Sequence, residues 1–292
     1  GFWHKHYGKV SLLWGTLFFV PLSMVDMTFA FEELILVAFT EYLPFIIILL
    51  ALFTIAGGIE VKGSLVGTPQ LNTAFILLGT FLASWMGTTG AAMLLIRPLI
   101  RANKHRSFNV HIIIFFILLV ANIGGALTPL GDPPLFLGFL NGVDFFWTTT
   151  HLFIPMLIHV TFLLSLFFLL DNYFYKKEAD VSRYNDNKSV PLGIKGKVNF
   201  VLIMGVILSV LMSGMYDFGS FYISSVEIKV QNVLRDLFLL CLTVVSWKVT
   251  DIKLRESNEF SWFPILEVSK LFAGIFITII PVISILKMGT DG

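Results

Sequence analysis

Seven apolar stretches, near residues 9–25, 40–58, 110–128, 150–170, 198–216, 233–249 and 264–286, each approach the roughly 20 residues that a helix needs to cross a bilayer. Lipid offers the backbone no hydrogen-bond partner, so such stretches cross it only as helices. The chain is 56% hydrophobic and 13% charged, with 30 phenylalanines and a mean hydropathy of +0.85. Those values exclude a domain with a water-facing polar surface. The fold class is an all-α integral membrane protein with seven transmembrane helices plus one re-entrant hairpin.

The hairpin is read from residues 72–100, which are apolar on both sides of Trp85-Met86-Gly87-Thr88-Thr89-Gly90. Halves of about a dozen residues are each too short to span. Charge placement supports the re-entrant reading. With the N-terminal end cytoplasmic, all lysines and arginines except Lys229, Arg235 and Lys287 fall on the cytoplasmic side. A full span at 72–100 would reverse the later loops. The net charge of +1 is therefore no sign of nucleic-acid binding, since the basic residues flank spans and are balanced by Glu178, Asp180 and Asp186.

Residues 120–134, Val-Ala-Asn-Ile-Gly-Gly-Ala-Leu-Thr-Pro-Leu-Gly-Asp-Pro-Pro, interrupt the span that begins near 110. Glycines relax the backbone, and Pro129, Pro133 and Pro134 forbid helix continuation. Carbonyls near 121–131 are thereby freed as ligands, and Asp132 becomes the N-cap of a helix that opens with proline. An ionisable group within a membrane segment marks a functional site. The Gly-Thr-Thr-Gly tip of the hairpin supplies small residues and hydroxyls. Two irregular elements meeting at the midplane are how secondary transporters build a site.

Of Asp26, Glu41, His111, His151, His159, Tyr216, Asp217 and Glu267, most lie near predicted span ends, where interfacial anchoring accounts for them, and Glu267 is read as an i,i+3 pair with Lys270. No buried arginine is expected as a carboxylate clamp, because Arg97 and Arg101 lie at the base of the hairpin. Cys241 lies in an apolar span and is the single cysteine, so it packs and forms no internal disulfide.

Ala-Asn-Ile-Gly-Gly-Ala-Leu-Thr-Pro-Leu-Gly-Asp-Pro-Pro, with the upstream Gly-Thr-Thr-Gly-Ala-Ala-Met-Leu-Leu-Ile-Arg-Pro, resembles the ion transporter superfamily, nearest to bacterial sodium/proton antiporters and citrate-type carriers. The resemblance implies inverted repeats, each with a hairpin and a broken helix. On it, residues 1–170 form the first repeat, with the hairpin at 72–100 and the broken helix at 110–140. Residues 171–197 are a cytoplasmic linker, and 198–292 open a second repeat that is truncated. Asn122, Gly124, Gly125, Thr128 and Asp132 match the broken-helix loop; Ser84, Thr88 and Thr89 match the hairpin tip. The tip departs from the antiporter pattern in carrying no carboxylate.

The resemblance also implies a multi-pass protein of the bacterial inner membrane, a possible homodimer, and no enzyme activity. Its partners are the lipid bilayer and small ions or organic anions. No cofactor is expected beyond transported sodium and protons. The expected function is sodium/proton antiport, with sodium held by Asn122, Asp132 and backbone carbonyls and displaced when Asp132 is protonated. The alternative is a sodium- or proton-coupled citrate or organic-anion carrier. Two readings from other classes are an inactive fragment and an intramembrane aspartyl protease using Asp132 and Asp217.

Overall fold

The computed structural model describes residues 2–63, 65–178, 193–223 and 226–288. Helix α1 (Phe2–Val25) is followed by α2 (Met27–Val37) and α3 (Leu43–Ala56). Asp26 separates α1 from α2 by accepting a bond from the Phe29 amide at 3.0 Å, a side-chain N-cap. A π-helical turn, Ala38–Tyr42, joins α2 to α3. The second span therefore starts at Met27 and runs to Ala56, well before the expected position 40. Glu32 and Glu33 dilute the apolar signal there without breaking the helix.

Among the described residues, seven helical segments are long and apolar enough to cross a membrane: Lys5–Val25, Met27–Ala56, Val110–Leu127, Trp147–Lys177, Val198–Met215, Val230–Val249 and Phe263–Pro281. Their outer faces carry exposed Leu12, Trp14, Phe162, Leu169 and Val201. A belt of that size would be a fault in water and is the ordinary lipid-facing surface of a membrane protein.

The hairpin consists of α4 (Pro69–Met86) and α5 (Thr88–Ala102). At 18 and 15 residues the halves are longer than the expected dozen, about 27 and 22 Å at 1.5 Å per residue. Length does not prevent α4 from spanning; Gly87 does. Its φ of +79° lies in the left-handed region that glycine enters freely, and the chain turns back there. Eight residues to either side, Gly79 and Leu95 touch, since a Cβ on Gly79 would meet Leu95 Cδ1 at 3.0 Å. At the base, Asn72 and Asn103 exchange two amide bonds of 2.9 and 2.7 Å.

Helix α6 (Val110–Phe116) leads into the broken segment, and α7 (Pro133–Leu140) and α8 (Trp147–Lys177) follow. Helix α8 extends through 171–177, and 179–192 lie outside the described residues. Strand β1 (Glu60–Lys62) pairs antiparallel with β2 (Gly193–Lys195), register Val61 to Ile194. After α9 (Val198–Met215), β3 (Ser220–Ile223) and β4 (Val226–Lys229) form a second antiparallel ladder, register Phe221 to Ile228. Neither ladder is announced by sequence alternation, because three- and four-residue strands are too short for a period to register.

Helices α10 (Val230–Val249), α11 (Ile252–Ser257) and α12 (Phe263–Met288) complete the chain. Helix α10 packs on α3 and α12 on α1, so residues 198–288 share the core built by residues 2–177. Phe45, Phe116, Phe136 and Phe167 are buried at its centre. Gly8 lies against Lys270 and Gly15 against Ile277, so α1 and α12 run parallel. The Ser11 hydroxyl donates to the Lys270 carbonyl at 2.6 Å. The Lys270 ammonium stands over the Tyr7 ring at 5.8 Å.

Candidate functional site

From α6 the chain passes through a π-helical turn, Ile117–Asn122, and a 3-10 turn, Ile123–Leu127, to extended Thr128. Two glycines make this descent possible. A Cβ on Gly124 would strike Ala83 Cβ and the Thr80 carbonyl at 2.8 Å, and one on Gly125 would strike the Gly131 carbonyl at 2.8 Å. Hydroxyls and one amide from neighbouring elements take up the bonds that the broken helix no longer makes. Ser84 Oγ donates to the Gly124 carbonyl at 2.5 Å. Thr128 Oγ1 donates to the Ser84 carbonyl and accepts from the Leu130 amide at 3.2 Å. Thr148 and Thr149 donate to the Leu127 carbonyl at 2.9 and 2.5 Å. The Thr88 amide donates to the Gly131 carbonyl at 3.2 Å. The hairpin tip is thus stitched to the break.

In front of this joint lies a cavity of 230 Å³, with Thr88, Thr89 and Asp132 on its polar side and Phe45, Phe136 and Phe272 on its apolar side. Of the eight residues singled out by sequence, these three line the cavity. Ser84, Gly124, Gly125 and Thr128 form the joint behind it. Asn122 stands apart: it is exposed and its amide donates to the Ile117 carbonyl at 2.8 Å. The carbonyls of Gly124, Leu127 and Gly131, expected as free ligands, already accept protein bonds.

Two helices begin at this cavity, with different donors to offer. Helix α7 starts with Pro133 and Pro134, which have no N–H, and the next two amides, Leu135 and Phe136, bond the Asp132 carbonyl at 3.1 and 3.3 Å. Its start presents a dipole and a carboxylate, since the Asp132 side chain makes no capping bond. Helix α5 starts with Thr88 and Thr89 after Gly87, so its first turn brings hydroxyls to the positive end of a helix. One side of the cavity suits a cation and the other an anion.

A buried polar cluster that sequence reasoning missed locks the base of the hairpin. Asp171, in the last turns of α8, is fully buried. Arg106 Nη2 donates to its Oδ1 at 2.5 Å, His111 Nε2 lies 2.8 Å from the same oxygen, and Asn72 Nδ2 donates to Oδ2 at 2.9 Å. Arg106 also stacks over the Tyr175 ring at 5.3 Å. His111 is therefore part of this network, beyond the expected interfacial anchor. Its partner is 60 residues away in the chain, and no local spacing signals it.

Buried arginines do occur, away from the Asp132 cavity. Arg106, Arg235 and Arg255 are all buried, each with donors in use. Arg255 bonds the Thr54 carbonyl at 2.7 Å and the Ser246 carbonyl at 3.0 Å, the first of them near the C-terminus of α3, where a cation is favoured. None of the three lines the Asp132 cavity. His151 and His159 bond carbonyls one turn back, at 2.8 and 2.7 Å. Asp217 accepts from the Gly219 amide at 2.9 Å and lines a different cavity from Asp132, so the two carboxylates do not form the facing pair that a protease needs.

No curated protein and no solved structure matches the chain. A family model described as "Putative citrate transport" matches residues 1–292, and the seven candidate spans agree with a membrane transporter. By that match the chain belongs to this citrate-transport family.

Proposed function

We propose that this membrane transporter moves a small carboxylate anion of the citrate type together with a cation, and that the 230 Å³ cavity is the shared site. The observation that carries the reading is the meeting there of two unlike helix starts, α5 with its threonine hydroxyls and α7 with Asp132. A substrate carboxylate accepts from Thr88 and Thr89 at the α5 end. The coupling cation, sodium or a proton, sits on Asp132. Neutralising one charge with the other lowers the cost of carrying either through a low-dielectric interior. The family description supports the anion class, and the basic residues gathered at the hairpin-base end support a cytoplasmic orientation of that end.

The test is uptake of labelled citrate into proteoliposomes under sodium or proton gradients. Thr89→Ala is expected to raise KM tenfold or more, about the effect of one hydrogen bond to a charged group. Asp132→Asn is expected to abolish the dependence on the cation gradient. Uptake in Asp132→Asn that follows the gradient as in the unaltered protein would remove the assignment.

Sodium/proton antiport is the second reading, favoured by Asp132 being exposed and by its side chain making no capping bond. One carboxylate that holds either ion, but not both, is sufficient chemistry. A pH-sensitive dye inside the vesicles separates the two: a response to sodium with no carboxylate present supports antiport, and a response that needs citrate supports the carrier.

A further inference from the structure

At the β3–β4 end of the bundle, away from the hairpin base, lies a second cavity of 260 Å³ with Tyr216, Asp217, Lys229, Asn232 and Arg235 on its wall. Arg235 is only 2% exposed. Its Nε donates to Asp236 at 2.8 Å, and its Nη1 donates to Asn232 Oδ1 at 3.2 Å and approaches Ser213 Oγ at 3.5 Å. Its Nη2 is buried and has no hydrogen-bond partner among the described residues. A charged donor left unmatched in the interior is costly, and an oxyanion is the ligand class that satisfies it, since a guanidinium presents a fork matched to carboxylate geometry.

Two cations and two carboxylates surround this cavity. Lys229 adds a second cation from the exposed rim. Asp217 supplies the carboxylate on this wall, with one oxygen already engaged by the Gly219 amide, and Asp236 faces the Nε edge of Arg235. The cavity is also coupled to the first. The Arg235 guanidinium lies over the Phe136 ring at 5.7 Å, and Phe136 lines the Asp132 cavity. One turn further along α7, Phe139 lines the Arg235 cavity. One turn of α7, about 5 Å at 1.5 Å per residue, separates the two walls.

We infer that the Arg235 cavity is a second anion-binding site, taking a carboxylate against the Arg235 guanidinium and Lys229 as a station on the route to the Thr88–Asp132 cavity. The identity of the anion rests on the carboxylate-carrier reading above; the presence of an anion site rests on Arg235 and Lys229. Phe136 stands between the stations, so occupation of the outer one bears directly on a wall of the inner one.

Equilibrium binding of labelled citrate and labelled sulfate to the solubilised protein tests this, with Lys229→Gln, Arg235→Lys and Thr89→Ala compared. Two citrates per chain are expected. Lys229→Gln, an exposed position that spares the fold, weakens one of them by about tenfold, the loss of one charge-assisted contact. Arg235→Lys keeps the charge, removes the fork and weakens the same one. Thr89→Ala affects the other. A single citrate, lost in Thr89→Ala and indifferent to Lys229→Gln and Arg235→Lys, overturns the inference and leaves the carrier reading standing. Sulfate binding that depends on Lys229, with no citrate bound at all, keeps the anion site and removes the carrier reading. No anion bound by the unaltered protein removes both.

Discussion

Asp171 is enclosed by Arg106, His111 and Asn72 at 2.5 to 2.9 Å, whereas the Asp132 side chain makes no capping bond and is exposed. The same substitution should therefore have opposite consequences. Asp171→Asn leaves Arg106 as an uncompensated buried cation and is expected to cost roughly 3–5 kcal/mol, read as a large fall in the thermal unfolding midpoint in detergent. Asp132→Asn should change stability by less than about 0.5 kcal/mol, as an exposed position does, while altering transport. Equal midpoints for the two variants would contradict this division. Asp132 was legible in the sequence because prolines and glycines surround it. Asp171 was not, because it follows Leu169-Leu170 at the end of an apolar run and looks like the first polar residue of a loop. What makes it central is a set of partners brought to it by α4, the α5–α6 connection and α6.

Between elements, the hairpin and the break were visible for a physical reason: Gly87, Gly124, Gly125, Pro129 and the Pro133-Pro134 pair fall in clusters, whereas the prolines inside other spans, such as Pro155 in α8, stand singly. The π-helical turns at Ala38–Tyr42 and Ile117–Asn122 were invisible, since one extra residue in a helical turn leaves no mark in composition. The role of the hydroxyls was only half legible. Ser84 and Thr128 were marked as ligand groups, and the structure uses them to hold the joint together. Ser84→Ala leaves the Gly124 carbonyl without its donor and is expected to cost about 1–3 kcal/mol, measured by denaturation in mixed micelles. Gly131→Ala is more severe, because its Cβ would land on the Gly125 backbone. It is expected to abolish transport even where the protein still inserts, which protease protection reports separately.

For the molecule as a whole, composition and span counting gave the class and the order of the crossings, and pairing across the ends of the bundle supplied what they could not. β1 and β2 meet at one end, while β3 and β4 close the other. Single cysteines at Lys195 and Tyr222, in a Cys241→Ser background, are expected to react with a membrane-impermeant maleimide from opposite sides of sealed vesicles. Labelling of both from the same side would contradict the topology. Cys241 itself is exposed, not packed as its apolar surroundings suggest, and lies within a candidate span, so it should stay unlabelled until detergent is added.

The re-entrant hairpin is held unequally along its length. Charges grip its base, where Asp171, Arg106 and the Asn72–Asn103 pair are buried, while its tip is tied to the break by hydrogen bonds between neutral groups, each of about 1 kcal/mol. Mechanically it is a beam held at both ends by unlike anchors, ionic at the base and neutral at the tip. Thr88 and Thr89 sit beside the neutral anchor.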